Sequence, residues 1–228
     1  METSLHRSLK HIYSSSGSRV EATILGYRAD VLCDDMVVEI QASPLGAIAR
    51  KVAELVRHTR VLVVKPITHR KFVVRWSSAG GECVSRRLSP TTGRLPDVFH
   101  DLVRFTRVFP HPNLTLEVVL VDEEEVRVPR RSRRRSHCVE DRRLLGIVAA
   151  RRLQTAADLA RLLPFALPTS FTTDSLAVLL GSSVWFAREV AYTLRHCGAT
   201  RVIGKQGNRL RYEPVPAEKS TVDWMVAC

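Results

Sequence analysis

Residues 19–41 read RVEATILGYRADVLCDDMVVEIQ, and the way this stretch pairs with itself decides the fold. RVEATIL, YRADVLC and MVVEIQ alternate apolar and polar residues, are rich in Val and Ile, and are separated by Gly26 and by Asp34-Asp35, the pattern of a three-stranded meander. If Asp34-Asp35 is a two-residue hairpin loop, Cys33 pairs with Met36 and Asp30 falls opposite Glu39. If Leu25-Gly26 is another, Ile24 pairs with Tyr27 and Glu21 falls opposite Asp30. The same count sets Arg28 opposite Gln41 and turns Val20, Ala22, Ala29, Val31, Val38 and Ile40 towards a core.

Three carboxylates then share one rung. Opposed side chains on neighbouring strands sit about 5 Å apart, and like charges there repel, by up to about 3 kcal/mol per pair at an effective dielectric of ~20. Folding alone gives no reason to build this. A divalent cation removes the repulsion, and a hard-oxygen ligand set suits Mg²⁺ or Mn²⁺, which can activate water against a phosphodiester. The alternative is a surface ladder in which Asp30, Glu39 and Arg28 form ordinary salt bridges.

Working outward, SLHRSLKHIY places Leu5, Leu9 and Ile12 at helical spacing before a serine run and Gly17. PLGAIARKVAELVRH from Pro44 has a helical apolar face, and RVLVVKPI after it reads as a buried strand, parallel to its neighbour because a helix intervenes. KFVVRW and ECVSRRL flank SSAGG as a hairpin, PDVFHDLVRF reads as a short helix and LTLEVVLV as a further strand. The expected architecture is α/β: a three-layer α-β-β-β-α-β core with a mixed sheet.

The order helix, strand, strand with Asp, strand with Glu-x-Lys, helix, strand resembles the PD-(D/E)xK nuclease superfamily over roughly residues 4 to 67, with Asp30 at the family's Asp and Glu39-Ile40-Gln41 at its Glu-x-Lys. The resemblance implies a restriction-endonuclease-like fold. It also implies metal held by Asp30, Glu39 and the backbone carbonyl of Ile40, with Glu21 as an extra ligand. Gln41 departs from the family's lysine, since an amide neither carries charge nor exchanges a proton. Lys51 on the following helix is the expected substitute, with Lys10 on the first helix a weaker one; His58 and Lys65 read as structural.

The chain of 228 residues carries a formal net charge of +12 and a pI near 10.2, which points to a polyanionic partner, DNA above all, rather than a small neutral metabolite. Residues 1 to 126 hold 17 basic and 15 acidic side chains, whereas residues 127 to 135 alone add six arginines. Residues 127–143 are expected to be an Arg-rich linker whose Arg130, Arg131, Arg133, Arg134 and Arg135 touch phosphates without reading sequence. The five cysteines are scattered and never in CxxC spacing, which indicates neither a disulfide framework nor a zinc site. No apolar run spans a bilayer and the N-terminus lacks a signal peptide's apolar core, so the expected location is the cytoplasm, with no membrane partner.

Beyond the expected nuclease-like domain at 1–126 and the linker, EDRRLLGIVAARRL reads as a connecting helix opening a second domain at 144–216, and 217–228 as a tail in which Trp224 and Met225 could pack on a partner. TAADLARLLP is a short helix capped by Thr155. Thr173 is expected to cap a helix with Leu176, Ala177 and Leu180 inside, Gly181-Ser182-Ser183 to make a turn, and a second helix to run to His196 with Val184, Ala187, Val190, Ala191 and Leu194 inward. RVIGKQGNRLRY follows as a hairpin turning at Gln206-Gly207-Asn208. This resembles a winged helix. Arg188 and Arg195 on the second helix and Lys205, Arg209 and Arg211 on the wing would meet phosphates; Trp185 and Phe186 beside them keep protein docking, or a homodimer through the winged helix, as the alternative use. The two-unit layout resembles a group of bacterial proteins without an assigned activity. The expected function is a metal-dependent DNA endonuclease, against a catalytically silent nuclease-fold protein that binds DNA or a protein partner.

Overall fold

The computed structural model describes residues 2–33, 35–130 and 137–216, and the chain divides into two compact units, Met1–Gln154 and Thr155–Cys228. The first opens with helix α1, Ser4–Ile12, whose N-cap Thr3 accepts a hydrogen bond from the His6 N–H. The meander follows as β1 Arg19–Val20, β2 Thr23–Ile24, β3 Tyr27–Arg28, β4 Val31–Cys33 and β5 Met36–Ile40. Five short strands replace the three expected because Glu21 takes a positive φ of 55°, which ends the first strand and throws β2 and β3 out as a separate two-stranded ribbon. The ribbon turns at Leu25-Gly26, both with positive φ, the backbone that a tight two-residue hairpin demands.

The pairings themselves are those that the turns dictate. Ile24 pairs with Tyr27, Val20 with Val31, and Cys33 with Met36. Ala29, Val31, Val38 and Ile40 are buried as expected, whereas Val20 is 52% exposed at the sheet edge and Ala22 only half-buried.

A 3-10 turn at Leu45–Ala47 leads into α2, Ala49–Leu55, and then β6 runs unbroken from Arg60 to Trp76. Strand β7, Cys83–Leu88, pairs back on the far half of β6, and a 3-10 turn at Leu95–Val98 continues as α3, Phe99–Leu102. Strand β8, Leu114–Pro129, and strand β9, His137–Leu153, complete the sheet. Its order is β1-β4-β5-β6-β8-β9, parallel at β5/β6 and β6/β8 and antiparallel elsewhere. Leu5 and Leu9 of α1 pack on Val31, Val38, Ile40, Leu62, Val64, Val119 and Val121. Val37, Val61 and Val63, of opposite parity and so on the other face, are also buried, as are Val52 and Leu55 of α2, which packs on β6.

Two expectations about the middle of the chain are corrected. EDRRLLGIVAARRL is not a connecting helix; it lies in β9, hydrogen-bonded along β8. The expected linker at 127–143 is strand at 127–129 and at 137–143, and the first unit extends to Gln154 rather than 126. Arg131, Arg133, Arg134 and Arg135, and the tail with Trp224 and Met225, lie outside the described residues.

The second unit consists of α4 Ala156–Arg161, β10 Phe171–Thr172, α5 Thr173–Leu180, α6 Val184–His196, β11 Thr200–Gln206 and β12 Arg209–Pro214, the strands forming an antiparallel sheet in the order β10-β12-β11. Thr155 caps α4, but α5 is capped by Thr172, which accepts from the Ser175 N–H, and Thr173 is its first helical residue. Gly181 ends α5 at a φ of 56° and Ser183 caps α6, so three residues turn the chain between the two helices. Ala187, Val190, Ala191 and Leu194 are buried as expected; Val184 is exposed, and Phe186, placed by its sequence beside the outer face, is buried instead. Gln206 pairs with Arg209 across Gly207-Asn208. No helix among the described residues is long and apolar enough to cross a membrane.

Candidate functional site

The rung forms where β4 fails. Before Val31, at Ala29-Asp30, the chain is not yet paired with β5, and the Ala29 N–H donates to the Ala22 carbonyl at 2.8 Å instead. The Asp30 side chain takes the Ile40 N–H, Oδ2 accepting from Ile40 N at 2.8 Å. The backbone of Glu21 donates to the Asp30 carbonyl at 2.9 Å, which keeps Glu21 in the register expected of it.

Each carboxylate has a cationic companion. Glu39, 4% exposed, has Lys51 Nζ 2.6 Å from Oε1, and the same ammonium donates to the Arg28 carbonyl at 2.5 Å. Burial raises the Glu39 pKa, against the pull of Lys51. Asp30 receives His6 Nε2 at 3.1 Å and lies 3.9 Å from Lys10 Nζ. Burial would raise Asp30 too, but His6, the Ile40 N–H and Lys10 outweigh it and hold its carboxyl below the usual range. Glu21 bonds Lys10 at 2.8 Å and pairs with Arg28. Lys10 also meets Glu2 at 2.5 Å; its own burial lowers its pKa, but Glu2, Glu21 and Asp30 more than reverse this.

Of the residues expected here, Asp30, Glu39 and Lys51 are brought together. Glu21 is drawn aside by Lys10 and Arg28, and no group of three or more His, Cys, Asp or Glu among the described residues is arranged to hold a metal. Gln41 is a correction: its amide nitrogen donates to Ser43 Oγ at 2.6 Å and to the Pro44 carbonyl at 3.0 Å, which ties it to the loop after β5 rather than to the rung. Arg28 sits on β3 opposite Thr23, not opposite Gln41. Lys65 is structural as expected, buried with Asp101 at 3.0 Å and the Ser43 carbonyl at 2.9 Å; His58 is half-exposed beside Glu54. The residue that sequence reasoning missed is His6. Nothing in its spacing marks it, and only the packing of α1 over β5 brings it to Asp30. A cavity of about 240 Å³, lined by Thr3, Leu5, Ser43, Thr68, Glu123 and Arg142, lies on the α1 side of the sheet, and none of the rung carboxylates lines it.

In the second unit, Trp185, Arg188, Tyr192 and Arg195 share the exposed face of α6, at spacings of three, four and three residues. Lys205 is exposed, Arg209 pairs with Asp174, and Arg211 donates to Ser170 Oγ at 3.0 Å. Arg130 is exposed at the end of β8.

A family match spans residues 3–154. The chain belongs to the family described as a domain of unknown function, DUF8091. The DUF8091 domain thus ends where the first unit ends, at Gln154, with β9 inside it. An uncharacterized protein of Treponema pallidum (strain Nichols) is 31% identical over 229 residues, covering 98% of this chain and 90% of that protein, so the similarity runs on through the second unit. No solved structure matches significantly. Neither match speaks of a nuclease, and that resemblance rests on the residues alone.

Proposed function

We propose that the protein acts on DNA: the DUF8091 domain as a metal-dependent phosphodiesterase of the PD-(D/E)xK kind, and the second unit as a winged helix that holds the substrate. The observation that carries this is Glu39. It is buried opposite Asp30, and the charge that the family places two residues later arrives from α2 as Lys51, with Nζ 2.6 Å from Glu39 Oε1.

Two carboxylates facing each other repel, as the Asp30 charge does Glu39, and a cation that takes hard oxygens, Mg²⁺ or Mn²⁺, relieves that repulsion. The donors that fit such an ion are Asp30, Glu39 and the Ile40 carbonyl; Glu21, committed to Lys10 and Arg28, is a lesser candidate. A bound ion would supply a lowered water pKa and stabilise charge on the phosphate. Lys51 would orient a phosphate oxygen, a point charge on a flexible stem that can leave Glu39 when a cation takes its place. His6 fixes Asp30 from the α1 side. In the second unit, Arg188 and Arg195 of α6 with Lys205, Arg209 and Arg211 of the β11–β12 hairpin are the proposed phosphate contacts.

A second reading has its own observation. Every rung carboxylate already has a cationic companion, and Gln41 is spent on a loop, as in a nuclease-like fold kept for binding alone. Cleavage of supercoiled, linear and branched DNA with Mg²⁺ or Mn²⁺ separates the two. The nuclease reading expects metal-dependent cutting, abolished by EDTA, by Asp30→Asn and by Glu39→Gln; binding without cutting under every condition would leave the silent module.

A further inference from the structure

The sheet does not stop at the rung. Beyond Thr68, β6 continues between β7 and β8, and β9 flanks β8, so four strands carry a second surface. Lys71 pairs with Glu123, Val73 with Arg87 and with Glu125, Arg75 with Arg127, and Glu125 with Arg142. Partners across strands, and residues two apart along one strand, share a face. Lys71, Arg75, Arg87, Arg127 and Arg142 therefore lie together, five cations around two carboxylates.

The two carboxylates anchor this face. Glu125, 2% exposed, accepts Arg127 through Nε at 2.8 Å and Nη2 at 2.5 Å, with Arg142 at 3.3 Å and Lys71 at 3.6 Å. Glu123, 3% exposed, lines the cavity shared with Arg142 and Thr68. Asp141, at the adjoining edge, is taken by the N–H and hydroxyl of Ser4 at 2.8 and 2.6 Å. Arg75 and Arg87 are exposed and have no ion pair among the described residues. Three cations are thus held in place by buried anions and two point outward unpaired.

We infer that this face is a second DNA-contact surface of the DUF8091 domain, on which Arg75 and Arg87 neutralise backbone phosphates beside the ordered Lys71, Arg127 and Arg142. The inference rests on the nucleic-acid reading above and adds a partner surface within the first unit itself. Lys71 to Arg75 spans about 13 Å of strand, against one phosphate charge per about 1.7 Å of duplex axis, so the cations face more phosphates than they can neutralise. Ordered charge on a sheet tracks a backbone without reading bases.

The test measures full-length protein binding to a random-sequence duplex by fluorescence anisotropy across a salt series. Arg75→Ala/Arg87→Ala is compared with Arg19→Ala/Arg57→Ala, which removes the same formal charge from β1 and from just past the end of α2. Each lost phosphate contact takes about 0.9 from the slope of log affinity against log salt. The expected result is a slope shallower by about 2 in Arg75→Ala/Arg87→Ala alone, with circular dichroism unchanged. Equal slopes in both variants, or a wild-type slope in Arg75→Ala/Arg87→Ala, would overturn the surface while leaving DNA binding intact. Absence of binding by the wild type would remove the nucleic-acid reading itself.

Discussion

Glu39 and Asp30 face each other with opposite electrostatic fates, and the difference is measurable. The Glu39 pKa is raised, so its contribution to stability is fully present below its unfolded value and is lost as pH rises through the folded one. The Asp30 pKa is lowered, so its contribution is present above its unfolded value and lost as pH falls through the folded one. Urea denaturation from pH 3 to 7 should show Asp30→Asn flattening the acid loss of stability and Glu39→Gln removing a loss on the rise towards neutrality. Lys51→Ala strands the Glu39 charge; removing one partner of a fully buried pair costs about 3–5 kcal/mol, and with Lys51 19% exposed the expected cost at pH 7 is roughly 1–3 kcal/mol, largely recovered in Lys51→Ala/Glu39→Gln. A double variant no more stable than Lys51→Ala would refute the coupling. Asp30, Glu39 and Lys51 are legible in the sequence because two tight turns fix the register and the helix after β5 returns a lysine over it. The tie of Gln41 to Ser43 and Pro44 is not legible, since an amide with several donors and acceptors has no signature for which it will use.

Strand β9 explains why a sequence can imitate the wrong element. Its register against β8 shifts at Leu120/Val121, Asp122/Glu123 and Val126/Arg127, and each bulge slips the alternation by one residue. Leu144, Leu145, Ile147 and Val148 then recur at spacings that also suit a helix face. The same bulges, with arginines along its length, blunt β9 as an exposed edge. Strand β6 is disguised differently. Pro66 looks like a breaker, yet Gln41 donates to the Val64 carbonyl, so two residues on the Pro66 nitrogen faces the side that β5 has already vacated, where no hydrogen bond is lost. In the second unit, the turn between α5 and α6 depends on Gly181 at positive φ with open space around its missing side chain. Gly181→Ala should therefore destabilise by about 1 kcal/mol from backbone strain alone, whereas Gly146→Ala in β9, with normal φ and equally open space, should not; thermal denaturation of the two variants checks this.

At the scale of the whole molecule, the boundary matters most. Charge composition suggests a break at the arginine run, but the run joins two paired strands of one sheet, and both the family match and the compact unit end at Gln154. A fragment of residues 1–154 should unfold cooperatively in urea. One ending at 126 loses β9 from β8 and should aggregate or fail to fold, and equal cooperativity of the two would argue against this boundary. Part of the +12 charge is carried by side chains ordered on the sheet, Lys71, Arg127 and Arg142 among them, and part by exposed side chains of the second unit such as Arg188, Arg195 and Lys205. The role proposed for the Asp30–Glu39 rung is that of a divalent-cation site rather than a salt-bridge ladder. Titration of Mn²⁺ into the full-length protein, with free ion followed by electron paramagnetic resonance, separates the two. A cation site should bind Mn²⁺ saturably, lose it in Asp30→Asn and in Glu39→Gln, and keep it in Glu21→Gln. Absence of saturable binding by the wild type, or binding untouched by the first two substitutions, would contradict that role.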